Sequence, residues 1–398
     1  MTIKNGTLFL IWSGAAISIA EVYTGSLFAP LGLMKGLLAI LAGHLIGTLF
    51  FSLGGYMSYV LKLPAIKSTS IVLGDKGTLF LGALNIIQLI GWTAIMIIQS
   101  AKAFNGALGI SVEFGIFFVG ISVLLWALFF DSQAYWINNI AVIMLFLLTI
   151  GVVLFLNGNI SHVKTSSINF YDAMELAIAM PISWLPLVGD YTMNSENGKS
   201  SFIFTFLGYF TASCFMYFIG LYISLKTGGL DIISYFASLR TGFVPLLIIL
   251  LSTVTTTFMD VYSAALSTIT VARRNLSKRK LLIIYSIVGI IAAYLFPIER
   301  YENFLYGIGS VFIPAYTVVF EGYFILKYKE KRNFNITGIT SSIIGIIIYN
   351  YFIYKGSFTF NWFITPTIIT IIFTAITYPV LNMLFYKKTL IYNNDISK

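Results

Sequence analysis

The chain has 398 residues, of which 58% are hydrophobic and only 10% charged, with a mean hydropathy of +0.90. A sequence this apolar cannot be water-soluble and reads as an all-α polytopic membrane protein. Its formal net charge of +9 sits in short basic clusters between apolar runs, where the distribution of Lys and Arg across a bilayer accounts for it, so no nucleic-acid partner is implied.

A spanning helix needs about 20 mostly apolar residues, and that template predicts about twelve. The first runs from Leu8 to Leu33. MTIKNG leads directly into it without a small-residue cleavage site, so it is expected to be a retained span and not a signal peptide. The second covers Gly36 to Leu61, the third Thr78 to Lys102, the fourth Val112 to Phe130 and the fifth Ala134 to Leu156. Then come Tyr171 to Met193, Ser201 to Leu225, Phe243 to Val271, Leu281 to Phe296 and Tyr301 to Leu326. Ile336 to Tyr354 and Trp362 to Tyr386 close the series, and the amphipathic stretch Gly229 to Arg240 reads as a short helix over one face. With the N-terminus on one side, alternation puts 17 of the 24 Lys and Arg on that side and 7 on the other. Both termini are therefore expected in the cytoplasm, the bilayer being the cell inner membrane.

Two spans are irregular. The sixth contains MPISWLPLVGDYT, where Pro181 and Pro186 each remove a donor and clash one turn back, so it is expected to unwind at mid-depth. Freed backbone is tolerated there only where it is buried in protein or lines a cavity. The first span carries Ser18, Glu21 and Thr24 at its centre. Glu21 reads either as a functional carboxylate facing a cavity or as a hydrogen-bonded clamp between helices. Irregular spans five apart point to an inverted-repeat transporter with its site near the midplane. The expected fold is thus a 5+5 inverted repeat with discontinuous helices 1 and 6 and two appended C-terminal helices. It forms one transmembrane domain, with the first repeat over 1–157, the second over 158–330, and the appended helices with a cytoplasmic tail over 331–398.

Candidate binding residues come from four spans. Ser183 and Trp184 lie between the two prolines. In the third span Gln88 and Trp92 are four apart and share a helix face with Gln99, a stacking surface with amide handles, although Trp92 reads equally well as a packed aromatic. The eighth span, LLSTVTTTFMDVYSAALS, holds Asp260 just after Thr255, Thr256 and Thr257. Most such hydroxyls bond back to their own helix. A carboxylate and hydroxyls opposite carbonyls of a broken helix would also suit a small hard cation, with sodium the natural guess. Cys214 is the only cysteine, which excludes an intramolecular disulfide and a cysteine-based zinc site. His44 and His162 lack ligand spacing, and His44 is expected to satisfy a hydrogen bond inside the bundle. There is no HExxH, GxSxG or dinucleotide fingerprint, and Gly198-Lys199-Ser200 lacks the upstream Gly of a Walker loop. No cofactor and no enzymatic activity are expected.

These residues resemble the nucleobase:cation symporter-1 family, whose members share the leucine-transporter-type fold. The resemblance is carried by IWSGAAIS from Ile11, Gly91-Trp92, SWLPLVGDYT ending at Thr192, TTxxxxxYSAAL from Thr255 and FIPxxxxxxEGYF from Phe312. The stretch from Ser18 to Gly47 is most similar to CytX-type hydroxymethylpyrimidine permeases. The resemblance implies sodium held by the backbone carbonyls of Ala16 and Ile19 and the hydroxyls of Thr255 and Thr256. It implies a heterocycle between Trp92 and Trp184, with polar contacts from spans one, three and eight. Met96 and Glu321 depart from the family pattern, and Asp260 stands near positions that are often Asn. Because carboxylates only accept, Glu21 and Asp260 favour a donor-rich aminopyrimidine over uracil. The reading is a monomeric secondary transporter that imports hydroxymethylpyrimidine, a thiamin precursor, or a cytosine-like nucleobase by sodium symport. The alternative is a proton-coupled carrier of another small nitrogenous solute such as an amino acid, a polyamine or an allantoin-like compound.

Overall fold

The computed structural model describes residues 2–129, 135–156, 159–161, 163, 168–239, 243–272, 274–327, 333–355 and 365–386. His162 lies outside these, as do Lys164, Arg240, Arg273, Lys329, Lys331, Arg332 and the C-terminal basic residues used in the charge alternation. The described chain is helical, with one isolated bridge, Ile3 to Ser195. In order the helices are α1 (Asn5–Ala16), α2 (Ile19–Ser26), α3 (Gly32–Leu61), α4 (Ala65–Ser68), α5 (Ser70–Leu108), α6 (Val112–Phe129), α7 (Tyr135–Phe155) and α8 (Phe170–Trp184). They continue as α9 (Gly189–Thr192), α10 (Gly198–Thr227), α11 (Ile232–Leu239), α12 (Phe243–Ala272), α13 (Lys278–Leu295), α14 (Tyr301–Phe320), α15 (Ile336–Lys355) and α16 (Pro366–Tyr386). Each apolar segment expected from the sequence is helical over most of its described residues; Phe130, Ala134 and Trp362, at segment ends, lie outside them. Among the described residues, 8 helices are long and apolar enough to cross a membrane. The amphipathic stretch becomes α11, which packs on α5 and α10.

The first span is broken. Ile17 (ψ 80) and Ser18 (φ −138, ψ 158) leave the helical region, and helix resumes at Ile19. Ser18 is a favoured N-cap residue, and its Oγ accepts from the Glu21 amide at 3.4 Å, satisfying one of the orphan donors of α2. The sixth span corrects the expected unwinding. Between α8 and α9 lies a single 3₁₀ turn, Leu185–Leu187, whose first residue Leu185 (φ −56, ψ −43) and the following Val188 (φ −55, ψ −39) stay right-handed helical. Pro186 sits at the start of that turn, where its missing donor costs nothing. Pro181 is accommodated inside α8, against α3. A Cβ at Gly47 of α3 would meet the Ile178 carbonyl and the Pro181 ring at 2.5 Å, so only glycine lets α3 come this close. The span tightens where the prolines fall and does not open.

The spans pack as two groups. One joins α1, α2, α3, α8 and α10; the other joins α5, α6, α12 and α13, while α15 and α16 pack on α14. The contact of α2 with α10 is backbone to backbone, since a Cβ at Gly220 would lie 1.9 Å from the Val22 carbonyl and one at Gly25 would lie 2.1 Å from that of Tyr217. That approach brings the side chains of α10 onto the start of α2. Glu175 ties the last helices to α8. Fully buried, it accepts from Tyr349 Oη of α15 (3.0 Å) and from the amide (2.8 Å) and hydroxyl (2.7 Å) of Thr367 at the start of α16.

Candidate functional site

Where the two groups meet, at the break between α1 and α2, lies a small cavity. Ala15, Ser18, Ala20 and Glu21 come from the broken span, Trp92 and Met96 from α5, Met180 and Trp184 from α8, and Thr256 and Asp260 from α12. Its volume is about 10 Å³, room for a single water. That is too little room for a planar heterocycle.

Both expected indoles are on these walls, one from each group. Trp184 meets the edge of Trp12 at a centroid distance of 6.4 Å. Trp12, fully buried, also makes edge contacts with Phe51 (4.7 Å) and Tyr191 (5.5 Å). Trp92 is set by edge contacts with Phe304 (5.5 Å) and Tyr301 (6.1 Å). Edge-to-face packing of this kind fixes ring orientation. Gln88 lies behind the wall, not on it. Its Nε2 donates to the Ser183 carbonyl and to Asn85 Oδ1, both at 2.8 Å, and so braces α5 against the end of α8 between the two indoles. The Ser183 hydroxyl donates back to the Met180 carbonyl at 2.6 Å and is not part of the lining. Gln99 is fully buried on α5, outside the lining, and its amide has no hydrogen-bond partner among the described residues.

The two carboxylates differ. Glu21, 1% exposed, accepts from Tyr209 Oη at 2.8 Å and lies 2.6 Å from Ser213 Oγ, both on α10. His44 Nδ1 meets the Ile40 carbonyl of its own helix at 2.9 Å, and Ser213 Oγ of α10 meets His44 Nε2 at 2.6 Å, the hydrogen bond expected of this histidine inside the bundle. Glu21 is therefore both a clamp and part of the cavity wall. Asp260 is 2% exposed and has no hydrogen-bond partner among the described residues. An unpartnered carboxylate buried beside two indoles asks for donors from a ligand.

At the break itself, Ser252 Oγ donates to the Ile17 carbonyl at 3.1 Å, joining α12 to the irregular backbone. Thr255 donates to the Ser252 carbonyl at 3.0 Å, and the buried Thr256 hydroxyl has no hydrogen-bond partner among the described residues. Ala16 and Ile19 flank the break. Hydroxyls and carbonyls alone form a hard oxygen set of the kind sodium accepts. Trp12, Tyr209 and Ser213 were not singled out from the sequence. A signal was present for the last two, since Tyr209, Ser213 and Tyr217 recur every four residues on one face of an apolar helix.

A family model described as permease for cytosine/purines, uracil, thiamine, allantoin matches residues 2–369. Among solved structures the chain is similar to Mhp1, a nucleobase-cation-symport-1 family transporter, in a closed conformation with bromovinylhydantoin bound. That match has TM-score 0.77 and 15% identity, and covers 98% of this chain and 94% of that one. It is also similar to a substrate-bound, outward-open Na+-coupled sialic acid symporter (TM-score 0.71, 13% identity, 95% and 90% covered). A manganese transporter of Eremococcus coleocola is a more distant match (TM-score 0.56, 11% identity, 95% and 93% covered). No curated protein matches the chain.

Proposed function

Since the chain belongs to the nucleobase:cation symporter-1 family of permeases, and is a multi-pass membrane transporter and not an enzyme, we propose that it imports an aminopyrimidine by sodium symport with alternating access. The favoured solute is 4-amino-5-hydroxymethyl-2-methylpyrimidine, a thiamin precursor, with cytosine-like bases next. The observation that carries this is Asp260, buried without a hydrogen-bond partner among the described residues on the cavity wall that also bears Trp92 and Trp184. An aminopyrimidine protonated at the ring nitrogen beside its exocyclic amine offers two parallel donors to that carboxylate, which uracil does not. The indoles supply the flat faces between which the ring stacks.

Sodium enters as co-substrate at the break, held by the carbonyls of Ala16 and Ile19 and the hydroxyls of Thr255 and Thr256. Binding there links α1 and α2 to α12, one member of each group, so the ion favours the arrangement in which the groups are docked. Each group contains spans five apart in order, which supports a twelve-span chain with repeats over 1–157 and 158–330 and an appended pair over 331–398. The chain acts as a monomer in the inner membrane with both termini cytoplasmic.

Uptake of labelled hydroxymethylpyrimidine, cytosine and uracil into proteoliposomes, with and without a sodium gradient at fixed pH, tests this. Sodium-driven uptake of the aminopyrimidines in preference to uracil is expected. Preference for uracil, or uptake indifferent to sodium, overturns the proposal.

A further inference from the structure

Pro186 costs its own 3₁₀ turn nothing, but its missing N–H is felt one turn back, at the last carbonyls of α8. There the Leu185 amide donates to the Ile182 carbonyl, three residues earlier. One step further in that register residue 186 would donate to the Ser183 carbonyl, and proline has no N–H. A buried backbone acceptor needs a partner from somewhere, and Ser183 is only 2% exposed. The partner comes from another helix. Gln88 Nε2 of α5 donates to this carbonyl at 2.8 Å, in place of the amide that proline lacks.

The Gln88 amide is itself held in one orientation. Its second hydrogen goes to Asn85 Oδ1, also at 2.8 Å. Because the Ser183 carbonyl only accepts, Nε2 and not Oε1 must face α8. Oε1 has no hydrogen-bond partner among the described residues, so the side chain holds through Nε2 alone. Asn85 is oriented in turn from α12, where its Nδ2 donates to Ser267 Oγ at 2.9 Å. Asn85 is 0%, Gln88 4% and Ser267 3% exposed. This buried line of hydrogen bonds runs from α12 through α5 to α8 and ends one residue before Trp184. None of its three side chains is on the cavity wall.

We propose that Gln88 and Asn85 are positioning residues for the solute: they stand in for the missing Pro186 amide and, together with Trp12, set the place of the Trp184 indole. The proposal rests on the reading that the solute stacks on Trp184. Without the donor, the Ser183 carbonyl turns toward another partner and carries Trp184 with it. Apparent affinity then falls with the fraction of time the indole is in place. The expected loss is about 5- to 150-fold, the worth of one buried acceptor left unpaired. The bond also joins one member of each helix group, so it must break whenever the groups part. Its removal therefore raises the half-saturating solute concentration without lowering the maximal rate.

The test compares Gln88→Met, which keeps the shape and loses the donor, with Gln88→Met/Pro186→Ala, in which residue 186 regains an N–H in register with the Ser183 carbonyl. The full chain, carrying 5-fluorotryptophan, is placed in lipid nanodiscs and followed by fluorine NMR without solute, the Trp184 line being assigned by its absence in Trp184→Phe. One Trp184 line is expected in wild type. It should shift or split in Gln88→Met, move the same way but less in Asn85→Leu, and return in the double variant. In proteoliposomes, half-saturating hydroxymethylpyrimidine should rise about 5- to 150-fold in Gln88→Met at an unchanged maximal rate, and fall back in the double variant. A Trp184 line unmoved by Gln88→Met overturns the proposal. So does a Gln88→Met defect that Pro186→Ala leaves in full, since the bulk of the side chain and not its donor would then matter. Where Gln88→Met does not fold, an unmoved Trp184 line in Asn85→Leu overturns it equally. A chain that transports no aminopyrimidine refutes the stacking reading, while the fluorine lines still decide whether Gln88 places Trp184.

Discussion

Replacing Asp260 by Asn changes one heavy atom and should weaken solute binding far more than it disturbs stability. The side chain is 2% exposed and has no hydrogen-bond partner among the described residues. An unpartnered buried carboxyl takes up a proton sooner than it remains charged, so without solute the acid and the amide are both neutral polar groups left unpaired, each at a cost of about 1 to 3 kcal/mol. Asp260→Asn should therefore leave the unfolding temperature of the solute-free protein nearly unchanged. The same change removes the charge from a pair formed with the solute, a loss of about 2 to 5 kcal/mol for a buried charged hydrogen bond. At 1.4 kcal/mol per tenfold, that weakens aminopyrimidine binding by about 30-fold to about 4,000-fold. Differential scanning fluorimetry in detergent and equilibrium binding of labelled hydroxymethylpyrimidine read the two halves. An unfolding temperature that falls, together with unchanged binding, refutes the reasoning, because Asp260 would then have an internal partner and no ligand.

Three other substitutions separate the parts of the site. Trp184→Ala removes a wall held in place by Trp12; at about 1 to 3 kcal/mol per stacked base it should weaken binding about 5- to 150-fold, and unaltered affinity in a titration would count against stacking. Thr256→Ala deletes a buried hydroxyl that has no hydrogen-bond partner among the described residues. One contact to a charged group is worth about 1.5 kcal/mol or more, so the sodium concentration for half-maximal uptake should rise about tenfold, Thr256→Ser should restore it, and an unmoved sodium curve would place the ion elsewhere. Glu175→Leu strips three donors of their acceptor at the junction of α8, α15 and α16. At about 1 to 3 kcal/mol for each donor left unsatisfied, the unfolding temperature should drop markedly, with Glu175→Gln milder; a wild-type melting curve would show that the junction is held by something else.

Much of this was legible in the sequence, because a bilayer leaves few options. Twenty-residue apolar runs must be helices, and the segments from Phe243 and Ile336 end within a residue of where the runs do. The break at Ser18 was readable from a capping residue followed by a buried carboxylate. The prolines misled in degree. Pro181 and Pro186 predict an unwound centre, but neighbouring glycines on α3 pack so closely on α8 that the chain keeps its helical sense and only tightens. Long-range pairings were out of reach of any local pattern. Glu21 finds Tyr209 and Ser213 nearly half the chain away, and Gln88 turns out to brace the Ser183 carbonyl behind the cavity. Trp12 read as one more apolar residue of the first span, yet it sets the plane of Trp184.

The account stands or falls on whether a flat ring enters between the two indoles. Tryptophan fluorescence of the purified protein, titrated with hydroxymethylpyrimidine in the presence of sodium, measures this most directly. A saturable quench is expected in wild type, reduced in Trp92→Phe and in Trp184→Phe and lost when both are replaced. A quench of full amplitude in the double variant would place the solute away from this cavity and contradict the account.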